Sequence, residues 1–416
     1  MNLQSSPSKE SGGSVAETGQ DMKICGISSW APRACGIATY FSEQSHAIAG
    51  LGHTFDIVCH QDEGRHDGQA NVHPIIDVTD ASWPAATAAY IAEQVRPDVV
   101  HVQHEFGLYQ AHHRENGCRI VGLTRELRQR GLPVVMTYHT LIGRMQPEHR
   151  EHYAELIPLT SISVAHAAYQ VERLRDNIGH VPDNVRYVEH GAEELTPERV
   201  AELRRIGRQE LGFEDRPVVM LNGFFADNKG HEYLVERWDE IYPRLNDQRT
   251  LLAAVGGIRV PEQQAYYDRL VRTVARAQHP ENVRLISKVF TPEGFLASLA
   301  AADLLVAPYK DASQSGVLAH TASVHTPCLA RDLEGLGAFC RDANQALIPF
   351  SKHVAADMAV MAERVVEIMN DDALRAHMSA DLARYVREVI SWQRVAQRYD
   401  CIYREALERA APRVSA

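Results

Sequence analysis

Two polar loops, each directly after an apolar run, carry residues that could bind a phosphate. The first loop follows the apolar residues 304–307 and Pro308, and an apolar helical pattern begins after it. A glycine in such a loop lets the backbone approach a ligand, and the unpaired amides at the start of a helix bind anions. The loop expected to bind a phosphate consists of Ser313, Gln314, Ser315, Gly316 and Val317.

The second loop, residues 222–230, contains Asn228 and Lys229 at the predicted start of a helix. A cation at that position opposes the helix dipole, which favours an anion bound between the two. The loop is not a Walker loop, because the chain contains no GxxxxGK[ST] string. The only approach to GxGxxG has Cys340 in place of the third glycine, which argues against NAD binding.

Polar residues also follow the apolar runs of the first half of the chain. The carboxyl ends of parallel strands form the ligand edge of an α/β sheet, so these residues are candidates for a site. His101 and His104 point to opposite faces of one strand, and no other ligand spacing is typical of a metal site. The candidates are Gly36, His104, Glu105, His139, His166 and His190.

No D-x-D string occurs in the chain, so the sequence does not predict a divalent metal beside a diphosphate. The charge would instead be met by Lys229 and by backbone amides. Two domains with anion loops at facing sheet edges predict a diphosphate-bearing ligand in the cleft between them.

Short apolar runs alternate with amphipathic segments from Met22 onward, which is typical of parallel sheets covered by helices on both faces. The pattern changes near residue 193, which predicts a domain boundary there. A single helix is expected after Lys229, and three helices at the end of the chain. The predicted strands are 23–28, 55–60, 98–104, 133–139, 161–166, 185–190, 217–225, 250–255, 282–289, 303–308, 327–330 and 346–349.

Length and composition limit the class of protein. The 416 residues suit two domains, and 45% hydrophobic with 23% charged residues is typical of a soluble globular protein. A net charge of -11 argues against nucleic-acid binding. The seven cysteines form no CxxC pair, which favours buried thiols in a reducing compartment. Residues 1–21 lack a hydrophobic signal core and are expected to be a disordered tail.

From Met22 to about Leu407 the chain resembles the GT-B-fold retaining glycosyltransferases of family 4. The matching strings are Cys-Gly-Ile-Ala-Thr-Tyr at 35–40, residues 98–106, Thr-Tyr-His-Thr at 137–140, Asn-Lys-Gly at 228–230, 303–318 and Ser-Trp at 391–392. The resemblance implies two Rossmann-like domains, 22–193 and 194–392, that face each other across a cleft. It also implies that a final helix, 393–412, crosses back to the first domain.

The resemblance implies a metal-independent transfer of a sugar from a nucleotide-diphosphate donor to an acceptor hydroxyl, with retention of configuration and no cofactor. Gly36 would lie near the diphosphate, Lys229 would pair with it, and the amides of Gly316 and Val317 would complete its cradle. His139 would contact the transferred sugar. The acceptor would be a saccharide, a lipid-linked saccharide or a small molecule, on the side of His104, Glu105 and His166; Glu105 is also a catalytic candidate.

This sequence departs from the family at three positions. The two glutamates usual in the family fall at Ala312 and His320, and the usual arginine before the lysine is replaced near Gly223 and Phe224. His320 would then contact the donor ribose through one hydrogen bond. A sugar-nucleotide epimerase, a phosphorylase and a non-catalytic sugar-nucleotide-binding protein remain alternatives.

The expected location is the cytoplasm, with at most peripheral contact with the inner face of the membrane. Glu115 and Glu126 interrupt a group of arginines that could contact anionic lipid, which favours a solvated face instead. The arginines are Arg114, Arg119, Arg125, Arg128 and Arg130.

Overall fold

The structure is a computed structural model that describes residues 20–33, 35–64, 71–110, 119–141 and 145–410. Almost all of the predicted tail at 1–21 therefore lies outside the described residues, as does Arg114. In the described residues, strands and helices alternate along the chain and build two separate parallel sheets.

The first sheet has seven strands in the order β3-β2-β1-β4-β5-β6-β7. All neighbouring pairs are parallel. We call this sheet and the helices on it the first lobe. Its strands are β1 (Lys23–Ile27), β2 (Thr54–His60), β3 (Asn71–Ile76), β4 (Val99–His104), β5 (Val134–Tyr138), β6 (Ile162–Ala165) and β7 (Val185–Tyr187).

The second sheet has six strands in the order β10-β9-β8-β11-β12-β13, again all parallel. We call it and its helices the second lobe. Its strands are β8 (Val218–Asn222), β9 (Leu251–Gly256), β10 (Val283–Ser287), β11 (Leu304–Ala307), β12 (Cys328–Arg331) and β13 (Ala346–Ile348).

Helices cover the faces of both sheets. Those of the first part of the chain are α1 (Gly36–Ala49), α2 (Trp83–Tyr90), α3 (Ile120–Gln129), α4 (Pro147–Leu156) and α5 (Ala168–Ile178). The helices that follow are α6 (Pro197–Leu211), α7 (His231–Val235), α8 (Trp238–Ile241), α9 (Pro261–Val274), α10 (Pro292–Ala300), α11 (Gly316–Ser323), α12 (Glu334–Asp342), α13 (Val354–Asn370), α14 (Asp372–Tyr385) and α15 (Trp392–Ala410).

The central strands are buried along their whole length, which is why they form nearly continuous apolar runs in the sequence. Every residue of β4, β5, β8 and β11 is buried. The doubly wound α/β architecture predicted from this pattern is confirmed. Its ligand edge is the one at which the carboxyl ends of the strands lie.

The last helix crosses back to the first lobe, as the resemblance implies. The hydroxyl of Tyr403 on α15 lies 2.8 Å from Nδ1 of His101 on β4, and that of Tyr399 lies 3.0 Å from Oγ1 of Thr137 on β5. At the start of the helix the Trp392 ring packs against Gly191, where an added Cβ would lie 2.3 Å from the ring. The C-terminal helix thus forms part of the core of the first lobe.

Two predicted elements differ in the structure. The prediction of a single helix after Lys229 is wrong, because α7 ends at Val235 and a separate short helix, α8, starts at Trp238. The strand β3 was not predicted, because Pro74 lowers the strand signal of its sequence; β3 is an edge strand, where a proline is tolerated.

The arginines considered for lipid contact are largely engaged in the first lobe. Arg125 pairs with Glu155, and Arg130 pairs with Glu126 one helical turn away. The Arg128 guanidinium donates to the carbonyl of Pro158. No helix in the described part of the chain combines the length and apolarity needed to span a bilayer.

Candidate active site

The carboxyl edges of the two sheets face each other and touch. The hydroxyl of Ser313 in the second lobe donates to the carbonyl of His139 in the first lobe, at 3.0 Å. The Tyr169 hydroxyl at the start of α5 donates to the Ser313 carbonyl, at 3.1 Å. A cavity of about 530 Å³ beside these contacts is lined by residues of both lobes, including His166, His190 and Gln314. The two predicted halves of the site therefore meet in one cleft.

The loop at 313–317 leads into α11, as predicted. Ser315 is the N-cap residue, and its side chain does not cap the helix. Its hydroxyl lies 3.5 Å from that of Tyr309, and the Gln314 amide nitrogen has no hydrogen-bond partner among the described residues. The amides of Gly316 and Val317 form no hydrogen bond to a described residue. These two amides are available to an anion.

Lys229 lies beside the first turn of α11. Gly223, just after β8, has φ of +127°, and a Cβ added there would lie 3.8 Å from Cε of Lys229 and 3.9 Å from Cγ2 of Val317. The space over Gly223 is thus bordered by the Lys229 side chain on one side and by Val317 on the other. The sequence predicted both loops, and the structure brings them together.

The ammonium group of Lys229 has no carboxylate partner among the described residues. It lies 3.8 Å from the centre of the Tyr309 ring, over the face of that ring. The neighbouring Lys310, in contrast, forms ion pairs with Asp227 and Glu232. Within the part of the chain that the structure describes, Lys229 is therefore an unpaired cation beside α11, whereas the charge of Lys310 is already neutralised.

Asn228, unlike Lys229, is hydrogen-bonded to the loop after β11. Its carbonyl accepts the Lys310 amide at 2.8 Å, and its side-chain amide donates to the Asp311 carbonyl at 3.4 Å. Asn228 is exposed and joins the loop after β8 to the loop after β11. Its predicted contact with the donor stays a prediction.

Gly36 is the first residue of α1, and Cβ added there would meet no atom within 4 Å. Cys35 is the N-cap residue and makes no side-chain hydrogen bond to the helix. Gly36 therefore leaves room for a ligand to approach the backbone at the start of this helix of 14 residues.

His139, just after β5, is oriented by a chain of buried amides. Its Nε2 lies 2.8 Å from Oε1 of Gln103 on β4. The Gln103 amide nitrogen donates to Gln44 on α1 at 3.0 Å, and Gln44 in turn donates to the Tyr40 hydroxyl at 3.0 Å. Because an amide oxygen only accepts, Nε2 of His139 carries the ring proton.

Burial and the neighbouring histidines, His166 first among them, hold the pKa of His139 well below its usual value. The ring is therefore neutral at neutral pH. The Tyr40 ring packs edge-on against it, with ring centres 5.1 Å apart. His139 is thus a neutral, fixed hydrogen-bonding group at the edge of the cleft.

Glu105 links two loops of the first lobe. One carboxylate oxygen accepts the Phe106 amide at 3.0 Å, and the other accepts the Thr140 hydroxyl at 2.5 Å. Burial raises the pKa of this carboxyl above its ordinary value. These contacts give Glu105 a positioning task next to His139, and its predicted roles in catalysis and acceptor binding stay predictions.

The structure separates the two histidines predicted on the acceptor side. His104 is completely buried, and its Nε2 lies 2.8 Å from Nε2 of His152 on α4. His166 lines the cleft, with its ring centre 5.0 Å from that of His139, and its Nε2 has no hydrogen-bond partner among the described residues. Only His166 is placed where a ligand in the cleft could reach it.

His320 on α11 faces Glu43 on α1 across the cleft. Their side chains approach to 3.9 Å, and burial lowers the pKa of His320 to about 3 while raising that of Glu43 to about 7. Glu43 was not predicted from the sequence, where it reads as a polar residue on an amphipathic helix. The structure thus places a carboxylate from the first lobe beside the position where the family's second glutamate is missing.

Among the described residues, no group of three or more His, Cys, Asp or Glu side chains is arranged to hold a metal ion. Two further residues of the site, Gln103 and Gln44, were not predicted. Gln103 had one signal, since it is a polar residue among the valines of β4. Gln44 is recognisable only once α1 packs beside β4.

Comparisons with known proteins agree with this arrangement. Residues 34–194 match the family model for Glycosyltransferase Family 4, and residues 216–371 match the model for Glycosyl transferases group 1. The chain is 23% identical over 292 residues to the alpha-D-kanosaminyltransferase of Streptomyces kanamyceticus, which is 66% of this chain and 71% of that protein. It is 26% identical over 317 residues to the D-inositol 3-phosphate glycosyltransferase of Corynebacterium efficiens, covering 73% and 72% of the two chains.

Among solved structures, the chain is similar to Anabaena HepE in complex with UDP and glucose. The TM-score is 0.66 and the sequence identity 14%, and the match covers 91% of this chain and 98% of HepE. At this identity the match establishes the fold.

Proposed function

Since this chain belongs to glycosyltransferase family 4 and transfers a sugar from a nucleotide-sugar donor, we propose that it does so without a divalent metal and with retention of anomeric configuration. The fold is GT-B. The observation that carries the proposal is the open space over Gly223, bordered by the unpaired Lys229 and by the first turn of α11.

In the proposed reaction the donor diphosphate lies between Lys229 and the free amides of Gly316 and Val317. A preorganised cation and amides stabilise the charge that develops on a leaving diphosphate. The bond between the anomeric carbon and the diphosphate oxygen breaks, and the acceptor oxygen bonds to the same face of that carbon. The acceptor proton passes to the leaving diphosphate, so the products are a glycoside and a nucleoside diphosphate.

His139 is proposed to contact the transferred sugar. Its neutral ring, with the Nε2 proton bound to Gln103, leaves Nδ1 as an acceptor for a sugar hydroxyl. A fixed neutral ring orients the sugar without adding a charge beside the reacting carbon. His320, with Glu43 opposite, is proposed to lie at the donor ribose.

The test is a screen of UDP-, GDP- and ADP-sugars with sugar-alcohol, saccharide and lipid-linked acceptors, with and without EDTA. UDP-glucose comes first, because HepE was solved with UDP and glucose. We expect transfer that persists in EDTA and a product with the anomeric configuration of the donor, read by NMR coupling constants. An inverted product or loss of transfer in EDTA would contradict the proposal.

A further inference from the structure

A second cation lies near the Lys229 loop, on the loop that follows the neighbouring strand β9. Arg259 follows β9, and its guanidinium stacks on the ring of Phe224 at 3.6 Å from the ring centre. Phe224 comes directly after Gly223, whose open side faces Lys229. The loop after β9 therefore reaches the same place as the loop after β8.

Backbone hydrogen bonds fix these two loops to each other. The Gly223 amide donates to Val255 at 3.1 Å, and the Phe225 amide donates to Gly257 at 3.2 Å. Gly256 packs so closely on Gly223 that an added Cβ would lie 1.7 Å from the Gly223 carbonyl oxygen. The position of Arg259 relative to Gly223 is thus set by the sheet and by the Phe224 ring rather than by a free side chain.

The guanidinium of Arg259 has no carboxylate within ion-pair distance among the described residues. Several other arginines of the second lobe form ion pairs, for example Arg204 with Asp303, Arg244 with Glu363 and Arg249 with Asp247. The backbone amide of Arg259 donates to Gln263, which anchors the main chain and leaves the side chain free. A stacked but unpaired guanidinium is ready to bind an anion, because its fork of donors matches phosphate geometry.

The Arg259 side chain is exposed, and the burial of part of it lowers its pKa. The guanidinium is therefore stacked on Phe224 and still open to a ligand from solvent.

We propose that Arg259 is a second cation for the donor diphosphate and that Phe224 holds it in place by stacking. This proposal rests on the proposed function and extends it. Phe224 stands in the region where the family usually has an arginine, so the Phe224 ring and an arginine from the loop after β9 together take the place of that one residue. The ligand is a nucleoside diphosphate, with the phosphate charge shared between Lys229 and Arg259.

The test measures the binding of UDP, GDP and ADP and of the matching monophosphates by calorimetry. We expect Arg259→Ala to weaken binding of the preferred diphosphate by about 10- to 100-fold, the usual range for a lost charge-assisted hydrogen bond, and to change monophosphate binding less. Arg259→Lys keeps the charge but loses the planar fork, and we expect an intermediate loss. Arg272→Ala, on the exposed face of α9, is the matched control and should bind as the wild type does.

A rescue variant sharpens the result. Phe224→Arg combined with Arg259→Ala returns the cation to the loop that carries Lys229, and we expect it to recover diphosphate binding relative to Arg259→Ala alone. If Arg259→Ala and Arg259→Lys both fold and bind the diphosphate as the wild type does, Arg259 has no such role, and the proposed function stands. If the wild type binds none of the three diphosphates, the proposed function is wrong and the role of Arg259 with it.

Discussion

The two lobes carry opposite kinds of chemistry at the same edge of their sheets. The first lobe presents neutral groups in a closed chain of hydrogen bonds, from His139 through Gln103 and Gln44 to Tyr40. The second lobe presents Lys229 and Arg259, two cations without carboxylate partners among the described residues. The first lobe therefore holds its polar groups in fixed orientations, whereas the second lobe supplies positive charge.

Burial explains the difference. In the first lobe desolvation lowers the pKa values of His101, His139, His166 and His190, so these rings stay neutral and can be packed against one another. In the second lobe both cations lie on loops that keep part of their side chains in solvent. Stacking on an aromatic ring restrains each cation without neutralising it.

The largest expected effect tests the charged lobe. Lys229→Ala should lower turnover by about 100- to 1,000-fold, because it removes a preorganised charge from the leaving diphosphate. Lys310→Ala is the matched control, since that lysine is already paired with Asp227 and Glu232, and its loss should be far smaller. Steady-state kinetics with the donor found in the screen measure both. Equal losses in the two variants would show that Lys229 has no special place in the mechanism.

A smaller loss of turnover is expected when the hydrogen-bond chain of the first lobe is broken. Gln103→Leu removes the acceptor of the His139 ring proton, so the ring can rotate away from the sugar, and turnover should fall by about 10- to 100-fold. Binding of the nucleoside diphosphate should not change, because its charge is met in the other lobe. Thr124→Val, which removes a buried hydroxyl bonded only within α3, controls for general loss of stability. A Gln103→Leu enzyme with weakened diphosphate binding and unchanged turnover would contradict the division between the lobes.

The smallest effect is on stability and is seen only as pH changes. Burial raises the pKa of Glu43 to about 7, above its value in the unfolded chain, and nearby Glu193 adds to this. A raised acid pKa means that the folded state loses stability as the pH rises from the unfolded value through the folded one. Glu43→Gln should therefore be more stable than the wild type above pH 7, by about 2 kcal/mol after allowance for partial exposure, and should lose this advantage below the unfolded value.

Urea unfolding curves of the wild type and Glu43→Gln at pH 4 and pH 8 measure this difference. Glu408→Gln, on the exposed face of α15, is the control and should follow the wild type at both values. A stability difference for Glu43→Gln that does not change with pH would show that the Glu43 carboxyl titrates normally. Burial would then not keep the Glu43 side chain of the first lobe neutral at a pH at which exposed carboxyls are charged.

Sequence patterns predict the parts of this molecule that depend on local burial. The strands Val218–Asn222 and Leu304–Ala307 are recognisable because both faces of a central parallel strand are covered, so nearly every residue is apolar. The edge strand Asn71–Ile76 lacks this signal, since only Val72 and Ile76 are buried and Pro74 interrupts it. Lys229 and the 313–317 loop were found because both directly follow such strands.

The rest of the site depends on contacts between residues far apart in the sequence. Gln103 and Gln44 are separated by 59 positions, and their hydrogen bond exists only once α1 packs beside β4. Arg259 contacts Phe224 only because β8 pairs with β9 in parallel, which brings the loops after these two strands together. The same limit applies to His104, whose polar character in the sequence gave no sign that His152 would bury it.

Ser313 of the second lobe forms two hydrogen bonds to the first lobe. Its hydroxyl and its carbonyl are both held by the first lobe, so the lobes cannot swing apart without releasing this one residue from His139 and Tyr169. Two such bonds contribute about 2 kcal/mol to the shut arrangement. Ser313 also belongs to the loop proposed to bind the diphosphate, so the residue that joins the two lobes would lie next to the bound donor.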